Sequence, residues 1–170
     1  MRTVPTISAD AMITVIRTDS NNKDFIELVR LLDADLSERD GEDHPFYAQF
    51  NKIDMIKHAV VAYQEKQAVG CGAVKAYAAG TGEVKRMYVR PEFRGKGIAG
   101  KMLSELEAWA VEIGFHTLVL ETGKAQPEAI RLYTKSGYDV IPNYGQYENI
   151  ENSVCMKKTV AGKKVDSQPS

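Results

Sequence analysis

The chain is 170 residues long, 44% hydrophobic and 26% charged, a composition that supports one packed core and excludes disorder and collagen-like repeats. Lys and Arg number 22 against 23 Asp and Glu, so the net charge is −1 and no global field draws in nucleic acid or an anionic membrane. Any anion site must be local.

Cys71 and Cys155 stand far apart without C-x-x-C spacing, which argues against a disulfide framework or a structural zinc and reads both as small buried hydrophobes. Residues 1–17 lack the basic cluster and apolar run of a secretory leader, and no apolar run approaches the roughly 20 residues of a membrane span. The expectation is a soluble cytoplasmic protein with one domain over residues 13–158, between frayed tails at 1–12 and 159–170.

In chain order, Ile13 to Arg17 reads as a short strand. Asp24 to Leu36 then carries Phe25, Leu28, Val29, Leu32 and Leu36 at helical spacing behind the candidate caps Asn21 and Asn22. Leu36 to Tyr47 is acidic and interrupted by Gly41 and Pro45, with a short helix expected over Tyr47 to Ile56. His58 to Tyr63 and Ala68 to Tyr77 are apolar, β-branched runs around the polar turn Gln64 to Gln67, which is a hairpin signature. A further strand, Gly82 to Val89, follows the turn at Ala79 to Gly82.

The strongest helix has Ile98, Met102, Leu106, Ala110 and Ile113 in one apolar stripe, extended by Trp109, and Gly114 to end it. Thr117 to Glu121 is the next strand. Pro127 to Ser136 is a helix with Pro in its first turn and Gly137 after it, and Tyr138 to Ile141 and Ser153 to Lys157 are the last strands. The order βααβββαβαββ, with hairpins in its first half, fits a mixed sheet carrying helices on both faces.

Chemistry concentrates after Val89, where Arg90-Pro91-Glu92-Phe93-Arg94-Gly95-Lys96-Gly97-Ile98-Ala99-Gly100 runs from a strand into the strongest helix. Glycines at 95, 97 and 100 permit positive φ and close backbone approach, so successive N–H groups can converge at a helix N-terminus beside Arg94 and Lys96, an arrangement suited to pyrophosphate. A tight strand-to-helix connection is the plainer reading of the same glycines. The Walker pattern is absent and the dinucleotide fingerprint lacks its βαβ context.

Arg94-Gly95-Lys96-Gly97-Ile98-Ala99 resembles the pyrophosphate loop [QR]-x-x-G-x-[GA] of the GNAT superfamily of acyl-CoA-dependent N-acetyltransferases. The resemblance continues upstream through Glu83 to Val89 and downstream through Pro127 to Tyr138, and covers roughly Ile13 to Lys158. It implies an α/β (mixed α+β) fold: a mostly antiparallel, twisted sheet of about seven strands with helices on both faces. Its two central parallel strands, here Gly82–Val89 and Thr117–Glu121, splay into a V-shaped cleft.

The resemblance also implies roles. Acetyl-CoA is the expected co-substrate, its pantetheine arm held by the backbone of Met87, Tyr88 and Val89 and its pyrophosphate by the amides from Arg94 through Gly95, Lys96, Gly97, Ile98 and Ala99 to Gly100. Gln126, where many relatives carry Asn, is a weaker contact to the arm. Acyl transfer to an amine needs a proton acceptor for the ammonium and a donor for the departing thiolate. Tyr133 is the candidate acid, Glu83 the first candidate base and Glu121 the second, while Tyr144 and Tyr147 are candidates for the acceptor pocket.

Ordinary packing or solvent exposure is the rival reading of each of these side chains. His44, His58 and His116 are too scattered to make a metal site, and none is needed for this chemistry. The acidic stretch Asp33, Asp35, Glu38, Asp40, Glu42 and Asp43 reads as a solvated face before it reads as an attractor for a cationic acceptor. The expectation is acetyl transfer to a primary amine on a small molecule by direct attack in a ternary complex. A protein or peptide acceptor, and a CoA-binding module without turnover, are the alternatives, and a homodimer is left open.

Overall fold

A computed structural model describes residues 12–40 and 56–161 of the chain. Within them lie β1 (Ile13–Thr18), α1 (Lys23–Asp40), β2 (Ala59–Gln64), β3 (Gln67–Ala78), β4 (Thr81–Val89), α2 (Ile98–Glu112), β5 (Thr117–Gly123), α3 (Pro127–Lys135), β6 (Asp139–Ile141) and β7 (Ser153–Thr159). The strands form one seven-stranded sheet in the order β1-β2-β3-β4-β5-β7-β6. Every neighbouring pair is antiparallel except β4 and β5.

The expected short helix over Tyr47 to Ile56 falls almost wholly outside the described residues, as do His44 and most of both tails. One correction concerns α1, which continues four residues past Leu36 to Asp40 where an interrupted segment was expected. Acidic composition does not stop a helix, and residues 37–40 contain neither Gly nor Pro. At its start the Asn22 side chain accepts from the Phe25 N–H at 2.9 Å, so Asn22 is the cap.

Two apolar layers sandwich the sheet. On one face Phe25, Leu28 and Val29 of α1 pack on Ala59, Val61, Cys71 and Tyr88. On the other, Met102, Leu103 and Leu106 of α2 pack on Val60, Val69 and Val84, a cluster that continues to Tyr133 and Tyr138 at the end of α3. The expected stripe of α2 needs adjusting at its end, because Ile113 is 37% exposed while Leu103 is buried. The helix stops there: Gly114 takes φ 104°, and the N–H groups of Gly114 and Phe115 return to the carbonyls of Val111 and Ala110. That reversal turns Ile113 outward and closes the helix with a Schellman motif. Both cysteines are fully buried, and burial pushes both thiols up, Cys155 to about 11.

Two departures from a regular sheet create the cleft. β4 and β5 pair only at Thr81–Thr117, Gly82–Leu118 and Glu83–Val119. Beyond Glu83, β4 runs on against β3 while β5 runs on against β7, and the two strands separate. In β4, Tyr88 pairs with Cys71 and Lys85 with Ala73, so Gly72 alone opposes both Arg86 and Met87. This is a bulge, and Arg86 sits in it at φ 61°.

The closed end of the V depends on a glycine. A β-carbon on Gly82 would lie 2.8 Å from Phe115 Cδ2 and 3.0 Å from Val74 Cγ2. Gly82→Ala is therefore expected to cost about 1–3 kcal/mol of stability, read as a lowered urea midpoint at constant m-value. A midpoint equal to that of the wild type would mean that the closed end yields without cost.

Candidate functional site

The splay opens a cavity of about 110 Å³, walled by Leu32 and Leu36 of α1, by β4 from Glu83 to Met87, by Glu121 to Gly123 of β5, and by Gln126, Ala129, Tyr133 and Tyr147. Strand parity explains the polar wall. Val84 belongs to the α2-side core, so Glu83 and Lys85 point to the other face, and the bulge turns Arg86 there as well. From β5, Glu121 stands two residues beyond the last paired position and is level with Lys85 across the gap.

Glu83 is only 6% exposed, and its Oε2 accepts from the Tyr144 hydroxyl at 2.7 Å. Glu121 Oε2 accepts from the Ser153 hydroxyl at 2.7 Å. Each carboxylate is thus oriented by a neutral hydroxyl at one oxygen. Burial, and after it Glu83, pushes the Tyr144 phenol up; burial, with Glu121 and Glu83, does the same to Tyr147. The rings of Tyr77, Tyr144 and Tyr147 meet edge to face at 5.0 and 5.8 Å, a packed wall behind the carboxylates. Tyr147 lines the cavity, whereas Tyr144 stands behind Glu83 as its donor.

Tyr133 reaches the cavity from α3 and is 6% exposed. Burial first, and Glu121 second, raise its phenol above the usual value, so it holds its proton through the neutral range. Its hydroxyl makes no hydrogen bond among the described residues, and its ring packs edge to face on Tyr138 at 5.8 Å. Gln126 precedes α3, lines the cavity and makes no side-chain cap.

At the open end β4 passes into a single 3-10 turn, Pro91–Phe93, and then the glycine loop. Gly95 and Gly97 adopt φ 79° and 84°, and a β-carbon on either one, or on Gly100, would meet nothing within 4 Å. Gly97 is the N-cap of α2 and offers no side-chain acceptor, so nothing caps the N–H groups of Ile98, Ala99 and Gly100 from the side. Open space lies where uncapped amides converge, which fits an anion.

The remaining loop residues divide. Lys96 is exposed, and the Ile98 side chain is buried in the core, leaving its amide for the loop. Arg94 braces the turn, its Nε donating to the Val89 carbonyl at 2.7 Å and its guanidinium lying 5.5 Å from the Tyr88 ring centre. Met87 lines the cavity, while Tyr88 packs into the α1-side core.

Sequence reasoning passed over Lys85 and Arg86, although a signal was there: Val84 and Met87 are three apart yet share the α2-side core, and two adjacent charges separate them. An alternating strand with such an interruption is the pattern of a bulge. Ser153 and Tyr77 carried no comparable signal, since their roles come from partners far along the chain.

Residues 25–138 match the sequence profile of the acetyltransferase (GNAT) family. Over 100 residues the chain is 39% identical to an IAA acetyltransferase of Azospirillum brasilense, covering 58% of this chain and 65% of that protein. The chain spans between 50% and 66% of the lengths of the curated relatives it matches. A solved structure from Klebsiella pneumoniae, assigned as an acyl-CoA N-acyltransferase, superposes with TM-score 0.74 at 33% identity and covers 88% of this chain and 99% of that one. PaiA N-acetyltransferase of Thermoplasma acidophilum, solved with coenzyme A, shares the fold at TM-score 0.65 and 17% identity, covering 87% of this chain and 99% of that one. With a profile match across most of its length and a close structural relative covered almost end to end, the chain belongs to the acetyltransferase (GNAT) family.

Proposed function

We propose that this chain, over residues 13–158, transfers the acetyl group of acetyl-CoA to a primary amine on a small molecule by direct attack in a ternary complex. The observation that carries the reading is the convergence of two hydroxyl-oriented carboxylates and one buried phenol on a single cavity, from which β4 leads directly into an uncapped glycine loop. A cavity of about 110 Å³ has room for the reacting end of a compact amine. A cytoplasmic setting belongs to the same proposal, and no described helix is long and apolar enough to cross a membrane.

Bound acetyl-CoA would supply an activated thioester carbonyl. The backbone of Met87 and Val89 would hold its arm, and the amides of residues 95–100 its pyrophosphate, with Lys96 adding positive charge. Glu83, fixed at Oε2 by Tyr144, takes the ammonium proton of the acceptor at Oε1 and releases the amine as a nucleophile. Glu121, anchored by Ser153, is the second candidate for that step. Tyr133 Oη keeps its proton and donates toward the negative charge that develops on the leaving sulfur.

Calorimetric titration with acetyl-CoA and with free CoA tests the foundation: micromolar binding is expected, and failure of both to bind overturns the reading. Glu83→Gln is expected to lower kcat about 10²- to 10⁴-fold in a steady-state assay, with a smaller loss for Glu121→Gln. A Glu83→Gln enzyme of wild-type rate, beside an inactive Glu121→Gln, would move the base to Glu121.

A further inference from the structure

The cavity is not a simple acidic trap for an amine. Glu83 and Glu121 share its lining with two cations, Lys85 and Arg86. Each carboxylate accepts from a neutral hydroxyl, Tyr144 or Ser153. The Lys85 ammonium makes no hydrogen bond or ion pair among the described residues, although Glu83 and Glu121 are near enough to favour its charge. Burial works against that charge and pulls the ammonium below the usual lysine range, so the site holds a desolvated cation facing the space an acceptor would fill.

Arg86 is held there at a cost. In a regular strand the residue after Lys85 would face the α2-side core, where a guanidinium has no place. The bulge at φ 61° instead brings Arg86, 6% exposed, to the cavity side, where Asp33 supports its charge. A non-glycine residue at positive φ in the middle of a strand persists only when the surroundings impose it.

The spacing then suggests the ligand. Glu83 and Lys85 lie two residues apart on one strand face, about 7 Å between their Cα atoms. One small molecule spans that distance through the two side chains. A simple alkylammonium would satisfy Glu83 and leave the Lys85 ammonium facing its own charge, whereas a zwitterion satisfies both ends.

We propose that the acceptor carries a carboxylate as well as a primary amine, as an amino acid does: its ammonium meets Glu83 and its carboxylate meets Lys85 and Arg86. This rests on the acetyl-transfer reading and deepens it by naming the class of acceptor. The roles divide cleanly, with Lys85 and Arg86 recognising the acceptor and Glu83 taking its proton.

The test uses the full chain with acetyl-CoA and follows thiol release with the common amino acids, each beside its methyl ester and its decarboxylated amine. The best amino acid is expected to exceed its ester and its amine at least about 30-fold in kcat/KM, the loss that accompanies an unpaired buried charge. Lys85→Gln is expected to raise KM for the acid by a similar factor and to narrow the acid-over-ester ratio at least about tenfold, with Lys85→Arg restoring part of it. Because the ratio is internal to each protein, a loss of folded enzyme does not mimic the effect. Esters or amines turned over as well as the acids, an unchanged ratio in Lys85→Gln, or acetyl-CoA binding with no amino acid accepted would each overturn the acceptor class alone. Absence of acetyl-CoA binding would overturn the transferase reading with it.

Discussion

Gly97→Asp is expected to fold with nearly wild-type stability and to lose acetyl-CoA binding by more than about 10³-fold, as read by thermal unfolding and calorimetry together. The first half of that expectation follows from space: a β-carbon at Gly97 meets nothing within 4 Å, so the substitution displaces no protein atom. Its backbone cost, for φ 84° and ψ 7°, is about 1–2 kcal/mol, and less for Asp than for most residues, since Asp tolerates the left-handed region. Against that cost, a carboxylate at the N-cap accepts from the free N–H groups of α2 and recovers about 1 kcal/mol. The second half follows from the same contact. The new carboxylate takes the amides that a pyrophosphate needs and places negative charge in its space. Gly97→Ala separates the two effects, because it keeps the backbone strain without the charge and should weaken binding far less. Wild-type affinity in Gly97→Asp would mean that the loop is a structural connection and the anion binds elsewhere.

What could be read from the sequence, and what could not, follows from the range of each interaction. The loop, α2 and the strands on either side rest on local signals: a 3.6-residue apolar stripe, glycines where φ is positive, and β-branched runs bounded by turns. Glu83 and Glu121 could be named from the family resemblance and from their places at the start of one strand and the end of its neighbour, and both line the cavity. The end of α1 falls four residues beyond the apolar stripe that locates it, because periodicity stops at Leu36 while no residue from 37 to 40 breaks a helix. The hydroxyls that orient the two carboxylates were out of reach. Tyr144 lies 61 residues from Glu83, and Ser153 lies 32 from Glu121, and no periodicity reports on such pairs. Lys85 and Arg86 fall between these cases, since the bulge that brings both into the cleft is written in the spacing of Val84 and Met87 but becomes visible only once the two faces of β4 are known.

Tyr133→Phe should lower kcat about 10²- to 10³-fold, equivalent to about 2.7–4 kcal/mol of transition-state stabilisation, while changing acetyl-CoA affinity and folding stability little. The stability half is unusual for a buried tyrosine and comes from its surroundings. Its hydroxyl has no hydrogen-bond partner among the described residues, so Phe leaves no orphaned group there and keeps the edge-to-face contact with Tyr138. A hydroxyl with no partner among the described residues, opening on a cavity with two carboxylates, is available to a ligand. Its acidity points the same way. Burial and Glu121 raise the phenol above its ordinary value near 10, so the donor form persists throughout the working range. The sign of the linkage is definite: folding favours the protonated phenol, a contribution complete below about pH 10 and lost only as pH rises from there toward the higher folded-state value. The wild-type kcat profile should accordingly show no descending limb from this residue below about pH 10. A Tyr133→Phe enzyme with unchanged kcat would make Tyr133 a packing residue and leave protonation of the thiolate to water, whereas a fall in kcat with intact binding and stability assigns the proton to its hydroxyl.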